Sequence, residues 1–524
     1  MLSTRTCLAV SLIFSICAGV TLLAVPRAPA AAPQAATARP SPAGELPPPT
    51  ETVITEKDAA APVEDDEDVV SGEKIAWRTR VGEKWGVMLN GERQGAVYDE
   101  VKWLYFMPGN HLVFAARADK AWMLVIDGKE TDRYEEVAYP TWSLLGERLA
   151  YAVKRDKKWF VVDRHELSKT PYDKVEDLRL TLDGSHLAYF ARQKGGWSAV
   201  LDGEEQALRF DRLDGGTFSF DGQRFGYAGL RKGKWQVVVD GKEGAPFEAI
   251  TGFRFSGDGK RFAYVGIRKI KINPFTLNKA VGCAVVDHEP GPDFEGVVEG
   301  APVFRWSGAV SSQTFGVSLP EFSKDGTHVA HAARRGKDDS VVLLDGKPGP
   351  PFKSILGGPI FIGDSAEVAY VASDAGATTL VVRGERVGKG SADGADYVHS
   401  MVLAPDGRRV AFVAVNGGLF FASGFSGRAR RRAYLQGEPG KEYNAVWLGD
   451  LEFTEDGQHL LYVVRRLEEA GRQVSFAVID GIEGKRYDAV LAPRVEEGNP
   501  PGLAFVARSG RKFLKVVQPF PILP

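Results

Sequence analysis

The eight histidines are the residues of this 524-residue chain best suited to bind a metal or to transfer a proton near neutral pH. Four of them lie two residues after a turn glycine, at His111, His186, His328 and His459. Equivalent positions elsewhere hold arginine, at Arg148, Arg224, Arg261 and Arg409. A position that accepts either residue type indicates a surface strand, and the other histidines lack zinc-ligand spacing. The sequence therefore predicts no metal site and no cofactor.

A catalytic nucleophile is not indicated either. The segment 424–427 reads Gly-Phe-Ser-Gly and lacks the Gly-x-Ser-x-Gly spacing of a nucleophile elbow. Adjacent Asp-Gly pairs such as Asp258-Gly259 are explained by turn formation, whereas a sialidase-like Asp box needs an intervening residue. No catalytic residue is predicted, and the chain is expected not to be an enzyme.

Two groups of residues are candidate binding sites. The first belongs to an insertion at 268–320, whose expected contact residues are Lys269, Lys271, Phe275, Phe294 and Trp306. The second is an arginine cluster in which strand alternation would place three side chains on one face, namely Arg428, Arg430 and Arg432. Such a cluster suits an anionic partner, such as a polyanionic glycan or an acidic protein face. A solvated loop, or an edge strand protected by charge against aggregation, is the alternative.

The elements that would position these residues come from a repeat of about 38 residues. Tryptophans recur at intervals of 37 or 38 residues, at Trp85, Trp122, Trp159, Trp197 and Trp235. Later aromatics keep the same period, at Tyr98, Tyr134, Tyr172, Phe210 and Phe247. Within a unit, short runs of β-branched and aromatic residues alternate with Asp-Gly pairs, which favour two-residue hairpins. Four short strands per unit predict one antiparallel sheet.

A small four-stranded sheet cannot bury both faces alone, and stacking copies around an axis solves this. The fold class is therefore all-β, a β-propeller of ten or eleven four-stranded blades. The aromatics are expected to pack between blades. The phrase Ser-x-Asp-Gly-x-Arg/His-Leu/Phe-Ala-Tyr, as at 219–227 and 256–264, resembles the WD40-like repeats of TolB-type bacterial proteins. The resemblance implies architecture only, because the second half of each unit departs from that family.

The number of rings is a separate question. A strand of the Ala-Tyr type occurs eleven times, whereas ordinary propellers have about four to eight blades. Two tandem propellers are favoured, a regular one at 73–300 and an irregular one at 301–520, and a single large ring is the alternative. The last unit lacks its fourth strand after Val517. Ring closure is therefore expected to pair it with residues from elsewhere.

The N-terminal 72 residues indicate export. Residues 1–30 contain an arginine, an apolar run and a small-residue site, as in a signal peptide cleaved after Ala30. An uncleaved membrane anchor is the alternative. Residues 31–72, rich in alanine and proline and then acidic, are expected to form a disordered linker.

Together these features predict an exported, non-enzymatic binding or scaffold protein of the bacterial periplasm or cell surface. Its partner would be an envelope protein or a glycan. Nucleic acid is not expected, because the formal net charge is −2 and the repeats are only weakly basic. A propeller-bearing serine peptidase would require a separate hydrolase domain, and the repeats, which extend over residues 74–520, are not expected to leave room for one. A polysaccharide-active hydrolase or lyase with a site at the propeller axis is the alternative.

Overall fold

The computed structural model describes residues 45–57, 68–145, 148–271, 278–298, 317–363, 365–374, 377–391, 395–416, 430–444, 447–449, 451–468, 472–496 and 501–521. These ranges all lie in one compact unit, Pro40–Pro524. They contain 46 strands and one short 3-10 helix, Pro108–Asn110. The strands form eleven antiparallel sheets, the blades of a propeller. In the described residues, no helix is long and apolar enough to cross a membrane.

Strand β1 (Thr50–Glu56) belongs to the last blade, and the first four blades follow it in the chain. From the propeller axis outward, blade 1 contains β2 (Val69–Ser71), β3 (Lys74–Val81), β4 (Lys84–Leu89) and β5 (Glu92–Tyr98). Blade 2 contains β6 (Glu100–Met107), β7 (His111–Ala118), β8 (Ala121–Ile126) and β9 (Lys129–Glu130). Blade 3 contains β10 (Glu136–Trp142), β11 (Leu149–Arg155), β12 (Lys158–Asp163) and β13 (Glu166–Leu167). Blade 4 contains β14 (Lys174–Leu180), β15 (Leu187–Gln193), β16 (Gly196–Leu201) and β17 (Glu204–Glu205).

Blades 5 to 8 keep this order, with one extra strand in blade 6. Blade 5 contains β18 (Arg212–Phe218), β19 (Phe225–Arg231), β20 (Lys234–Val239) and β21 (Lys242–Glu243). Blade 6 contains β22 (Ala249–Phe255), β23 (Phe262–Lys271), β24 (Asn278–Val286), β25 (Glu289–Pro290) and β26 (Phe294–Val298). Blade 7 contains β27 (Glu321–Phe322), β28 (Val329–Gly336), β29 (Asp339–Leu344) and β30 (Lys347–Pro348). Blade 8 contains β31 (Ser354–Phe361), β32 (Val368–Asp374), β33 (Ala377–Val382) and β34 (Glu385–Ser391).

The last three blades complete the array. Blade 9 contains β35 (Tyr397–Leu403), β36 (Val410–Asn416), β37 (Arg430–Leu435) and β38 (Glu438–Asn444). Blade 10 contains β39 (Trp447–Leu448), β40 (Glu452–Phe453), β41 (Leu460–Leu467), β42 (Gln473–Ile479) and β43 (Ile482–Glu483). Blade 11 contains β44 (Ala489–Glu496), β45 (Gly502–Ser509) and β46 (Lys512–Pro519), with β1 as its outermost strand.

The Asp-Gly pairs form the tight hairpins that the sequence predicts. At Asp127-Gly128 the φ angles are 47° and 78°, and at Asp240-Gly241 they are 51° and 76°. Positive φ at both positions is the geometry of a type I′ turn, whose twist matches that of the flanking strands. Each such turn therefore connects the third strand of a blade to the short fourth strand.

The core is a ring of interfaces between blades. Along β7, Leu112 and Phe114 pack toward blade 1, whereas Val113 and Ala115 pack toward blade 3. Both faces of a blade are buried because successive strand side chains point in opposite directions. The repeat aromatics lie in these interfaces, as predicted, and Phe247 is a fully buried example.

The eleven blades form one ring, so the preference for two tandem propellers is wrong. Blades 6 and 7 share a buried cluster that includes Ile267 and Val317. Blades 11 and 1 share another, in which the rings of Trp77 and Phe513 stack 6.4 Å apart. Because the expected break near residue 300 falls between packed blades, the insertion does not separate two domains.

Ring closure uses the N-terminal segment. Strand β1 pairs antiparallel with β46, with Thr50 opposite Val517 and Glu56 opposite Lys512. The prediction that the last unit is completed from elsewhere is confirmed. The prediction that residues 31–72 are all disordered is wrong for β1 and β2, because ordering β1 satisfies the open backbone edge of β46. The predicted signal peptide lies outside the described residues.

Candidate binding face

The blades define two faces of the ring. On one face lie the turns between first and second strands and the Asp-Gly turns, and we call this the Asp-Gly face. On the other lie the turns between second and third strands, and we call this the B–C face. Since every blade has the same strand order, equivalent turn residues of all blades lie on the same face.

On the Asp-Gly face, the arginine-or-histidine position binds the turn aspartate. Arg224 Nε donates to Asp240 Oδ2 at 2.7 Å, and the same guanidinium donates to the Lys260 carbonyl of the next blade at 2.6 Å. His186 Nδ1 lies 2.7 Å from Asp202 Oδ2. These side chains therefore connect turns, and the arginines also connect neighbouring blades.

The B–C face carries one exposed turn lysine on each of four consecutive blades. We call these residues the lysine track, and they are Lys120, Lys157, Lys194 and Lys232 in blades 2 to 5. Three of them have left-handed backbone, with φ of 68°, 62° and 51° at Lys120, Lys157 and Lys232. Within the described ranges, none of the four side chains forms a salt bridge. Within these ranges their charge is therefore not held in an ion pair, while the exposed carboxylates of Asp119 and Asp156 precede two of them in the same turns.

Neighbouring cations on this face are neutralised. Lys158 Nζ binds Asp173 at 2.6 Å, and Lys234 Nζ binds Glu248 at 2.5 Å. The hydrogen bond from Lys158 lowers the pKa of Asp173 below its ordinary value. These acids follow the repeat aromatic, so the Tyr-Asp and Phe-Glu pairs of the sequence support the B–C turns.

Half-buried tryptophans lie beside these turns. The Arg80 guanidinium lies 3.8 Å from the ring centre of Trp85, and Lys102 Nζ lies 4.5 Å from that of Trp122. Each repeat tryptophan also pairs through its backbone with the later aromatic, as Trp122 does with Tyr134. The tryptophans therefore stabilise the outer part of each blade and add apolar surface to the B–C face.

Blade 6 projects from the B–C face. Strand β23 has 10 residues, whereas its counterpart β19 in blade 5 has 7. Three added residues extend a strand by about 10 Å. The added backbone contains Lys269 and Lys271, which pair with Val281 and Lys279 of β24. The hairpin is widened by β26, which pairs with β24.

The remaining residues of the predicted insertion surface differ in position. Phe294 is half-buried between blades 6 and 7, and its ring lies 6.5 Å from that of His331. That packing gives Phe294 a structural role. Phe275 and Trp306 lie outside the described residues.

The arginine cluster begins β37 at the B–C end of blade 9. Arg430 and Arg432 both contact the Glu442 carboxylate, at 3.6 and 3.0 Å, whereas Arg431 is buried on the opposite face. The predicted alternation is thus confirmed for Arg430 and Arg432, while Arg428 lies outside the described residues. Glu442 partly neutralises this cluster.

The structure brings the two predicted groups to one face. Lys269, Lys271 and Arg430 all lie at the B–C ends of their blades, although blades 7 and 8 separate them. That these residues bind a partner stays a prediction. The lysine track was missed by the sequence analysis, although its spacing of 37, 37 and 38 residues repeats that of the tryptophans.

The alternative of a site at the propeller axis involves the innermost strands. Several of these have a bulge at a small residue with positive φ, such as Gly215 at 66° and Gly252 at 68°. Acids occur beside them in blades 4 and 5, where Asp177 accepts the Gly216 N–H at 2.8 Å. Burial raises the pKa of Asp214 and the Arg212 charge opposes this rise. The axial site stays a prediction.

Comparisons with known proteins assign no family to the chain. No family model matches the chain, and no curated protein matches it. Solved structures do match, among them a eukaryotic initiation factor at 13% identity, covering 72% of this chain and 95% of that one, with a TM-score of 0.34. Tricorn protease matches at 11% identity over 80% of this chain and 43% of its own, with a TM-score of 0.29.

TolB from Acinetobacter baumannii is also among the neighbours. It matches at 14% identity over 44% of this chain and 60% of its own, with a TM-score of 0.23. The chain is an eleven-bladed β-propeller by its own strand topology, and TolB is one of its structural neighbours. All of these TM-scores are below 0.5, so no activity or partner is transferred from them.

These comparisons correct the expectation that the chain is not an enzyme. The matched chains include acylaminoacyl peptidase from Pyrococcus horikoshii and prolyl endopeptidases. Architecture of this kind therefore occurs in peptidases, and the expectation drawn from the repeats is contradicted. Their TM-scores of 0.26 and 0.25 assign no peptidase activity to this chain.

Proposed function

We propose that this chain is an exported β-propeller binding protein of the bacterial cell envelope, and that the B–C face binds an anionic partner. The observation that carries the proposal is the lysine track, four exposed turn lysines that form no salt bridge within the described ranges. In blade 4, the Asp-Gly face presents exposed Asp183, Asp202 and Glu204, whereas the B–C turn presents Arg192 and Lys194. A local group of like charges attracts oppositely charged partners even when the whole molecule is nearly neutral.

The direction of β1 also supports the B–C face as the binding face. Thr50 lies opposite Val517 near the Asp-Gly face, and Glu56 lies opposite Lys512 beside a B–C turn. A chain segment that precedes Thr50 therefore leaves from the Asp-Gly face. Whether the N-terminal segment is cleaved or anchors the protein, it joins the ring at the face opposite the lysine track.

Retention on a carboxylate cation exchanger tests the proposal. The protein has a formal net charge of −2, so retention at pH 7.5 and low salt requires a local basic surface. We expect retention of the unaltered protein, and earlier elution after charge reversal of the lysine track (K120E, K157E, K194E, K232E).

A matched variant separates the face from net charge. Reversal of four exposed lysines on the Asp-Gly face changes net charge by the same amount (K129E, K242E, K260E, K347E). This variant should elute at a clearly higher salt concentration than the track variant. Equal loss in both variants, or no retention of the unaltered protein, would contradict the proposal.

Export is tested separately by cell fractionation and N-terminal sequencing. Cleavage as proposed gives a mature chain that begins at Ala31 in the envelope fraction. A full-length protein that stays with the cytoplasmic fraction would contradict export.

A further inference from the structure

We infer that the lysine track binds a linear polyanion, an acidic polysaccharide with a carboxylate on most sugars, rather than a flat anionic membrane surface. This inference rests on the proposed function, because it specifies which anionic partner the B–C face takes. Three features of the face support it: the spacing of the lysines, the height of blade 6, and the neighbouring tryptophans.

The spacing suits a polymer with repeated charge. Packed sheets lie about 10 Å apart, so equivalent turn residues of adjacent blades are separated by about that distance at this radius. The Debye length at physiological salt is about 8 Å, so each lysine acts mainly on the charges next to it. A chain with evenly repeated carboxylates can follow the curve of the blades and meet Lys120, Lys157, Lys194 and Lys232 in turn.

The projection of blade 6 opposes a flat partner. Strand β23 rises about 10 Å above the level reached by β19, directly beside the track residue Lys232. A planar bilayer surface resting on this projection would be held away from the blade 5 turn by more than a Debye length. A flexible chain can instead run past the projection or end against it.

Aromatic surface beside the lysines suits sugar rings. Trp85, Trp122 and Trp235 are half-buried at the start of their strands, one or a few residues after the B–C turn. Arg80, Lys102 and Arg212 lie near the faces of these indoles, and the exposed part of each ring offers rigid apolar area that can pack on the C–H groups of a sugar while nearby lysines bind carboxylates. A polyanion without sugar rings would be bound through the lysine charges alone.

The test uses polygalacturonate as the probe, with free galacturonate and phosphatidylglycerol-containing vesicles as comparators. We expect the full-length protein to bind polygalacturonate at physiological salt. Free galacturonate at equal carboxylate concentration should compete poorly, because a single charge lacks the gain from linked contacts. Charge reversal of the track should weaken polygalacturonate binding by at least about tenfold, and reversal of Lys129, Lys242, Lys260 and Lys347 by less than about twofold.

The outcomes separate this inference from the proposed function. Retention on the cation exchanger without polygalacturonate binding would overturn the glycan inference and leave the basic binding face intact. Binding to the vesicles but not to polygalacturonate would show that the partner is a membrane surface. Equal effects of the two quadruple variants on polygalacturonate binding would also overturn the inference, and loss of both resin and polymer binding would overturn both proposals. Circular dichroism of each variant confirms that the blades remain folded.

Discussion

The interface between blades 5 and 6 is an example of the repeated interfaces of the ring, whereas the interface between blades 11 and 1 closes the ring. The two interfaces differ in their chemistry. Between blades 5 and 6, the Phe247 ring covers the backbone of Gly266, and Arg224 reaches a carbonyl of the next blade. Between blades 11 and 1, Lys57 Nζ lies 2.6 Å from Asp68 Oδ1, and both side chains are almost fully buried. Repeated interfaces thus use aromatic packing and turn contacts, whereas the closing interface adds a buried ion pair.

The difference follows from where the contacting residues lie in the chain. Residues of blades 5 and 6 are neighbours in sequence, so one repeated phrase can encode every ordinary interface. The closing interface joins residues more than 400 apart, as in the stacking of Trp77 on Phe513 and the contact of Asp68 with Arg508 at 3.6 Å. A buried ion pair tolerates few alternative registers, because a misplaced partner leaves an unpaired charge. We suggest that the Asp68 carboxylate, which contacts both Lys57 and the distant Arg508, selects the correct closure, and the following substitutions test this.

Asp68→Ala should have the largest effect. It leaves Lys57 and the nearby Arg508, 3.6 Å from Asp68, buried without their carboxylate. Removal of one partner from a buried pair costs about 3–5 kcal/mol, so denaturant unfolding should show a loss of that size.

Two variants control this experiment. Asp156→Ala removes a carboxylate that is 93% exposed and should change stability by less than about 0.5 kcal/mol. Joint replacement, Lys57→Met with Asp68→Leu, should recover part of the loss because the buried Lys57 charge is removed, although Arg508 still loses the Asp68 carboxylate. A loss below about 1 kcal/mol for Asp68→Ala would show that the closing interface does not depend on this pair.

Gly266→Ala should have an intermediate effect and probes the ordinary interface. A Cβ at this position would lie 2.4 Å from Phe247 Cε1, so the ring must move. Overpacking of this kind costs about 1–3 kcal/mol, measured by denaturant or thermal unfolding. Gly336→Ala, where the nearest atom would lie 3.6 Å away, is the control and should be close to neutral. Equal effects of the two substitutions would mean that the ring-over-glycine contact is not tightly packed.

His331→Tyr should have the smallest effect at neutral pH and a growing effect on acidification. His331 occupies the repeat tyrosine position, and burial lowers its pKa from 6.5 to about 4. The unfolded chain therefore binds the extra proton between these values, and the folded protein loses stability as pH falls from about 6.5 to 4. Tyrosine removes this proton uptake, so unfolding free energy measured against pH should fall less steeply in the variant. Parallel pH profiles would contradict the buried, neutral state of this imidazole.

Much of the fold could be predicted because its signals are local. The tryptophan period, the Asp-Gly hairpins and the eleven Ala-Tyr strands each depend on residues within one unit, and all three are present in the structure. Less of the candidate site could be predicted. The sequence singled out Lys269, Lys271 and Arg430 as breaks in the repeat, but it missed the lysine track because those lysines are regular members of the repeat.

The sequence by itself determined the blade, because strand alternation and turn chemistry act over a few residues. Only the tertiary structure decided the number of rings, the use of β1 to complete blade 11, and the burial of Asp68, which in the sequence is the last member of a run of acids. It also decided which residues share a face. Ring closure and the two faces arise from the stacking of blades that are distant in sequence. Residues of the first and last blades meet only when the ring is complete, so no short stretch of sequence specifies the distance between them.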